Sequence, residues 1–246
     1  MKTYWLEAKF QFLSLLRTPR FAVPTLLLPP LFYLFFGILM NMGRVPPASM
    51  AQAILIGYAI FGALAASMWG VAVTLSTERN LGWLEVKRAS PMPLGSYFVS
   101  KTASSMAFSL TILLLLGLLA QNFGHAGLNA TQWLQLAMCV LAASIPLCGM
   151  GLLVGTLTSA GATPAVVNLI SMPMAICSGL WIPIDFLPAQ MQQAAMFLPT
   201  YHALQIGRTI VGRRAAWPIE WHWAVLLGFT LLFLALTAGA WRRQRQ

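Results

Sequence analysis

Long apolar runs separated by short polar stretches make up most of the chain. A helix needs about 20 apolar residues to cross a hydrocarbon core about 30 Å thick. Six runs, at approximately 21–41, 51–77, 102–121, 133–157, 165–184 and 223–241, are read as spans of that kind. The pattern predicts an all-α integral membrane protein with six transmembrane helices. Ahead of the first run, residues 2–17 place Trp5, Phe12, Leu13 and Leu16 on one helical face and Glu7, Ser14 and Arg17 opposite. That spacing predicts an amphipathic helix lying in the membrane interface, with Lys9 snorkelling out of the apolar arc. The chain therefore divides into an interfacial helix, 1–20, and a six-span membrane domain, 21–246.

Within the runs, Gly62, Ala66 and Gly70, and again Gly151, Gly155 and Ser159, recur at four-residue spacing, the pattern that lets helix backbones approach closely in lipid. Pro24, Pro29, Pro30, Pro146 and Pro173 predict bends or local openings.

Composition supports the same picture. With 59% hydrophobic residues, 8% charged and a mean hydropathy of +0.74, too little polar material is left to coat a water-soluble globule. The net charge of +10 does not point to nucleic acid, because the basic residues flank apolar runs instead of forming a stripe. Lys2, Lys9, Arg17 and Arg20, then Arg79, Lys87, Arg88 and Lys101, then Arg242, Arg243 and Arg245 mark one side, and the positive-inside rule makes it the cytoplasm for both termini. Arg44 marks the first outer loop, while Arg208, Arg213 and Arg214 break the rule by falling outside.

Catalytic and metal chemistry find no carrier. The five acids, Glu7, Glu78, Glu85, Asp185 and Glu220, fall at or beyond span boundaries, so no proton relay is predicted inside the spans. Cys139, Cys148 and Cys177 lack a C-x-x-C pair and read as small core residues, and His125, His202 and His222 read as interfacial histidines without a metal cluster. Gly95 to Thr102 misses a phosphate-binding loop by one glycine, at Ser100, and runs into an apolar span, so Lys101 reads as a cytoplasmic anchor.

Two polar interruptions carry more information. The first, about 78–93, reads Glu78-Arg79-Asn80-Leu81-Gly82-Trp83-Leu84-Glu85-Val86-Lys87-Arg88 and ends at Pro91 and Pro93. It predicts a short amphipathic cytoplasmic helix whose Trp83 and Leu84 offer a docking surface. The second, about 183–201, is broken by Pro183, Pro188 and Pro199 into pieces too short to cross a bilayer and too apolar for water. It predicts re-entrant half-helices held against protein.

In this order the two interruptions resemble the membrane subunit of the ABC type-2 exporters of the drug, lipid or polysaccharide branch, over nearly the whole chain. A pattern similar to E-R-x-x-G-x-L-E followed by S-P-x-P is carried by Glu78, Arg79, Gly82, Leu84, Glu85, Ser90, Pro91 and Pro93. A second, similar to S-G-x-x-x-P-x-x-x-L-P and then P-x-Y, is carried by Ser178, Gly179, Pro183, Leu187, Pro188, Pro199 and Tyr201. Trp83 departs from the family, where that position is often small and polar.

The resemblance implies a coupling helix whose Glu78, Arg79, Trp83, Leu84, Glu85 and Arg88 meet a separate cytoplasmic ATPase subunit. It also implies an outer gate formed by Pro183, Asp185, Pro188, Pro199 and Tyr201. It further implies a homodimer of permeases with two ATPase copies in a prokaryotic cell membrane, with ATP and magnesium held by the partner and no cofactor by this chain. The expected activity is export of an amphipathic or hydrophobic substrate. A lipid-linked polysaccharide is the alternative cargo, and a membrane-embedded enzyme or sensory subunit is the reading from another class.

Overall fold

A computed structural model describes residues 2–41, 48–83, 94–124 and 126–243, and every regular element among them is helical. The helices are α1 (Lys2–Leu16), α2 (Pro19–Phe32), α3 (Ala48–Leu64), α4 (Gly70–Asn80), α5 (Leu94–Asn122), α6 (Ala130–Leu157), α7 (Thr163–Cys177), α8 (Ala189–Ala195), α9 (Pro199–Ile210) and α10 (Ile219–Arg243). Among the described residues five continuous helical stretches are long and apolar enough to cross a membrane: Phe21–Ile38, Met50–Asn80, Tyr97–Asn122, Ala130–Leu157 and Ile219–Trp241. The chain is a multi-pass α-helical membrane protein.

The fifth expected run behaves differently. Residues 165–184 are not one helix, because α7 stops at Cys177 and Gly179 turns the chain at φ +80°, a conformation favourable only to glycine. Fifteen residues rise about 22 Å, short of a hydrocarbon core of about 30 Å.

Two long helices change pitch midway. α2 contains Pro24, Pro29 and Pro30, whose missing N–H groups weaken the α ladder, and it passes directly into a π turn at Tyr33–Ile38. A second π turn, Ala65–Trp69, joins α3 to α4. At α6 the start is set by a reciprocal cap: Asn129 Oδ1 accepts from the Gln132 N–H at 2.9 Å, and Gln132 Oε1 accepts from the Asn129 N–H at 3.0 Å.

The Met50–Asn80 stretch is the centre of the bundle, with 89% of its most apolar window buried against 11% for α10. The small residues explain how it fits. A Cβ on Gly62 would lie 2.6 Å from Ile112 Cγ2, one on Gly151 3.0 Å from the Ser67 and Met68 carbonyls, and one on Gly155 2.7 Å from the Ala72 carbonyl. These glycines are therefore packing sites, as their spacing predicts. The outward surface of α10, with Leu227, Leu231 and Leu234, is apolar and exposed, as a lipid-facing helix requires.

The first helix buries a different face from the one its spacing predicts. It packs along α5, with Phe12 against Phe108 (ring centroids 5.0 Å). Among its described side chains Gln11 and Leu15 are buried, while Leu16, expected on the apolar face, is exposed together with Leu6 and Phe10. The neighbouring helix claims a side centred one residue earlier, and the remaining apolar side chains face outward.

Replacing Gly155 by Ala is expected to destabilise the protein by roughly 1–3 kcal/mol, because the new methyl meets a backbone carbonyl that cannot rotate away. Gly239→Ala, at a position with open space around it, should leave stability unchanged or slightly raised. Thermal unfolding of the two variants in detergent checks the contrast.

Candidate functional site

At one end of the bundle α4, α6 and α10 stop and α5 begins, and polar side chains knit these four helices together. Lys101 Nζ lies 2.7 Å from Glu78 Oε1 and donates to Thr74 Oγ1 at 2.9 Å, while Tyr97 Oη donates to Glu78 Oε2 at 2.7 Å. The lysine side chain is 1% exposed and the glutamate 22%. Lys101 is therefore not an anchor reaching toward water: its position, two turns inside α5, directs it at α4. Burying an ammonium there requires a carboxylate beside it.

Arg79, next along α4, points at α6. Its Nη1 donates to the Gly155 carbonyl at 2.9 Å and also to the Thr156 carbonyl, two acceptors in the last turn of α6 that have no partner within their own helix. A guanidinium suits this place because the carboxyl end of a helix carries partial negative charge. Trp241 of α10 completes the joint, with Nε1 donating to Thr156 Oγ1 at 2.8 Å and its ring 4.9 Å from that of Phe98 on α5.

Glu78 and Arg79, assigned from the sequence to a docking surface, thus both turn into the bundle. Beyond them Gly82 adopts φ +73°, and Leu81 and Trp83 are well exposed, at 63% and 56%. Leu84, Glu85 and Arg88 lie outside the described residues. Tyr97, Lys101, Thr156 and Trp241 were not foreseen as a group. Their signal was a lysine lodged two turns inside an apolar helix, opposite the glutamate that closes the preceding one.

At the other end, the segment after α7 folds into a short turn at Ile184–Phe186 and the helices α8 and α9. Pro183 and Pro188 stand at the N-caps of the turn and of α8, and Pro199 opens α9 at a position where its missing N–H is no loss. α9 is buried from Pro199 through Gly207. It lies against α3, α6 and α10. Ser178 and Thr200 share a hydroxyl hydrogen bond of 2.6 Å, and Gln132 Nε2 donates to the Ile210 carbonyl at 3.1 Å. Tyr201 is buried among Ile184, Ala195 and Leu198. Asp185 stays half exposed and accepts from Arg208 Nη2 at 3.1 and 3.2 Å and from Arg213 Nη1 at 3.3 Å.

Two histidines expected at the interface are instead buried and paired. His202 Nδ1 lies 2.9 Å from His222 Nδ1, and His202 Nε2 lies 2.9 Å from the Met196 carbonyl. A carbonyl only accepts, so Nε2 carries the proton of neutral His202, and its Nδ1 accepts from His222 Nδ1–H. This bond ties α9 to α10. Burial holds the His202 imidazole below its ordinary value, opposed by the hydrogen bond to Met196.

Between the two ends runs a half-open apolar cleft of about 390 Å³, walled by α2, α3, the π turn at Ala65–Trp69, α7 and Trp181. Phe21, Phe32, Phe61, Trp69 and Trp181 supply aromatic surface, with Thr25, Asn168 and Ser171 the hydrogen-bonding side chains beside them. From Phe21 to Phe32 the wall of α2 alone rises about 16 Å. Among the described residues no charged one lines it. Among the described residues no group of three His, Cys, Asp or Glu side chains could hold a metal ion.

A bundle of long apolar helices with a lengthwise cleft and a buried polar joint at one end fits a membrane permease. The chain belongs to the ABC-2 family transporter proteins, whose family pattern matches residues 44–238. It is 23% identical over 232 residues to the putative transport permease YvfS of Bacillus subtilis (strain 168), covering 93% of each chain. It is also 26% identical over 162 residues to the probable multidrug ABC transporter permease YbhR of Escherichia coli (strain K12), covering 63% of this chain and 43% of that one. The protein is accordingly a transport permease of this family.

Lys101→Met should destabilise the protein by about 3–5 kcal/mol, the cost of taking the ammonium away from a largely buried carboxylate, and adding Glu78→Gln should recover much of the loss. Unfolding of the single and double variants in detergent reads this directly. For the histidines, the unfolded chain takes up protons below about pH 6.5 while buried His202 resists. Stability is therefore full above that value and falls as the pH drops below it. The melting temperature of the natural protein should drop between pH 7.5 and 5.5, and His202→Gln should flatten the dependence.

Proposed function

We propose that this chain is the permease half of an ATP-driven exporter, working as two copies with two cytoplasmic ATPase subunits and moving a hydrophobic or amphipathic cargo out of the cytoplasm or its inner leaflet. The observation that carries the reading is the joint at Glu78, Arg79 and Lys101. It roots the charged segment beginning at Arg79 directly in α5 and α6 and, through Thr156 and Trp241, in α10, so a push on that segment is delivered to all three. In this reading residues 78–93 dock on the ATPase through the exposed Leu81 and Trp83 and the charges beyond them, while Glu78 and Arg79 transmit the displacement. ATP and magnesium belong to the partner, and the basic end faces the cytoplasm of a prokaryotic cell with both termini inside.

α7 counts as the sixth crossing, completed by the turn at 178–183, and α8 and α9 act as a re-entrant gate on the outer side. Pro183, Pro188 and Pro199 break the chain so that Asp185 is presented there while Tyr201 packs beneath it. The apolar faces of α2 and α7 that flank the cleft, with Leu28, Leu31, Leu169 and Met172 exposed, meet the second copy across the cargo path. An apolar wall favours a drug-like or lipid-like cargo over a lipid-linked polysaccharide, whose hydroxyls would find few partners along it. The relative from Escherichia coli, named for multidrug transport, supports the same preference.

Co-expression with its ATPase in proteoliposomes tests the proposal. Trp83→Ala should weaken co-purification with the ATPase, and Arg79→Gln should keep the complex but lower transport per ATP hydrolysed. Failure of the natural protein to bind any ABC ATPase overturns the reading. Trp69→Ala should reduce transport of hydrophobic dyes several-fold with little change in basal ATP turnover.

A further inference from the structure

Arg208, Arg213 and Arg214 are the basic residues that the positive-inside reading leaves on the wrong side, and the transport reading gives them no work. The structure sets Arg208 and Arg213 on Asp185 and places the exposed Arg214 beside them in the lining of the same pocket. Beside them is a pocket of about 260 Å³ lined by Asp185, Gln192, Tyr201, Gln205, Arg208 and Arg214. Asp185 is engaged by Arg208 Nη2 and Arg213 Nη1. The Nε–H of Arg208 is buried and has no hydrogen-bond partner. A buried charged donor without an acceptor is costly, and a negative occupant beside the guanidinium offsets part of that cost through its field. The excess of positive charge sets the sign of the occupant.

The surroundings set its class. The pocket also touches Ile184, Met196, Ala215 and Ala216, so one side of it is apolar. In sequence it is flanked by exposed rings: Phe186 next to Asp185, Phe197 next to Met196, and Trp217 next to Ala216. Phe197 is 80% exposed. An exposed tryptophan at the end of a membrane bundle marks the depth of the lipid headgroups, and the exposed phenylalanines beside it add apolar surface for acyl chains. Basic side chains at that depth, next to exposed apolar surface, match a phosphate attached to acyl chains better than a free ion in water.

We propose that this pocket binds the phosphate headgroup of an anionic phospholipid in the leaflet at the α8–α9 end of the bundle. Arg208 and Arg214 hold the phosphate oxygens, Gln192 and Gln205 add neutral donors, and Asp185 keeps the guanidiniums extended. A zwitterionic headgroup brings its own cation and leaves the charge excess uncancelled, so selectivity for a net negative lipid follows. Occupancy would brace the link between α7 and α9 from the lipid side.

The test uses the full chain in nanodiscs containing equal phosphatidylglycerol and phosphatidylcholine, with retained lipid counted by native mass spectrometry after release into detergent. It needs no ATPase, so it stands or falls independently of the transport reading. The natural protein should retain phosphatidylglycerol over phosphatidylcholine by about tenfold, Arg208→Gln with Arg214→Gln should bring the ratio near one, and Arg17→Gln at the opposite end should leave it unchanged. If the double variant is poorly folded, Arg214→Gln alone, at an exposed position, should still lower the ratio several-fold. Equal retention of the two lipids, or a ratio insensitive to both arginine variants, overturns the proposal. Displacement of the lipid by millimolar inorganic phosphate as readily as by added phosphatidylglycerol overturns the lipid assignment in favour of a free anion.

Discussion

A charge placed under a hydrocarbon shell must bring its counter-charge with it. Here the ammonium of Lys101 meets the carboxylate of Glu78, and the cost of separating them holds α4 and α5 at a fixed distance and rotation. Arg79 applies the same rule to backbone groups by capping the last carbonyls of α6. Because Trp241 reaches the same turn of α6, the helix that ends the chain is registered against the one that leads into residues 81–93. The end of the bundle is thus set by directional bonds, whereas its middle is set by close packing of small residues around the Met50–Asn80 stretch.

These two kinds of contact divide the labour. Glycine contacts such as Gly151 on the Ser67 and Met68 carbonyls gain through dispersion and do not prefer one small sliding position strongly over the next. Ion pairs and capped carbonyls are short-ranged in angle and resist sliding. A bundle built this way moves most readily as helices that stay locked at one end and shear along their packed middles, which suits a permease.

Much of this was legible from the residues. The apolar runs located the long helices, and the four-residue spacing of Gly62, Gly151 and Gly155 located close contacts, because both signals are periodic and local. The partition inside the polar segments was not legible. Glu78 and Arg79 read as a solvent-facing pair since their neighbours are charged, yet helix phase carries both inward while Leu81 and Trp83 go out. His202 and His222 are 20 residues apart in sequence, and no periodic signal connects them. Their pairing depends on α9 lying against α10, which is a tertiary fact. α7 ended early for a reason the sequence did contain, Ser178 and Gly179, but the hydrophobic run continues past them to Ile184 and masked the stop.

The π turns at Tyr33–Ile38 and Ala65–Trp69 adjoin the walls of the cleft. Each holds about one residue more per turn than the α-helix around it. Relaxing such a turn to α geometry would swing the residues on one side of it by roughly 100° relative to the other, without stranding the backbone groups that lipid cannot satisfy. Phe32 and Trp69 sit at the borders of these wide turns. The lining of the cleft is therefore mounted on two slack joints, and re-aiming an aromatic ring along the path requires a local change of winding instead of a break in either helix.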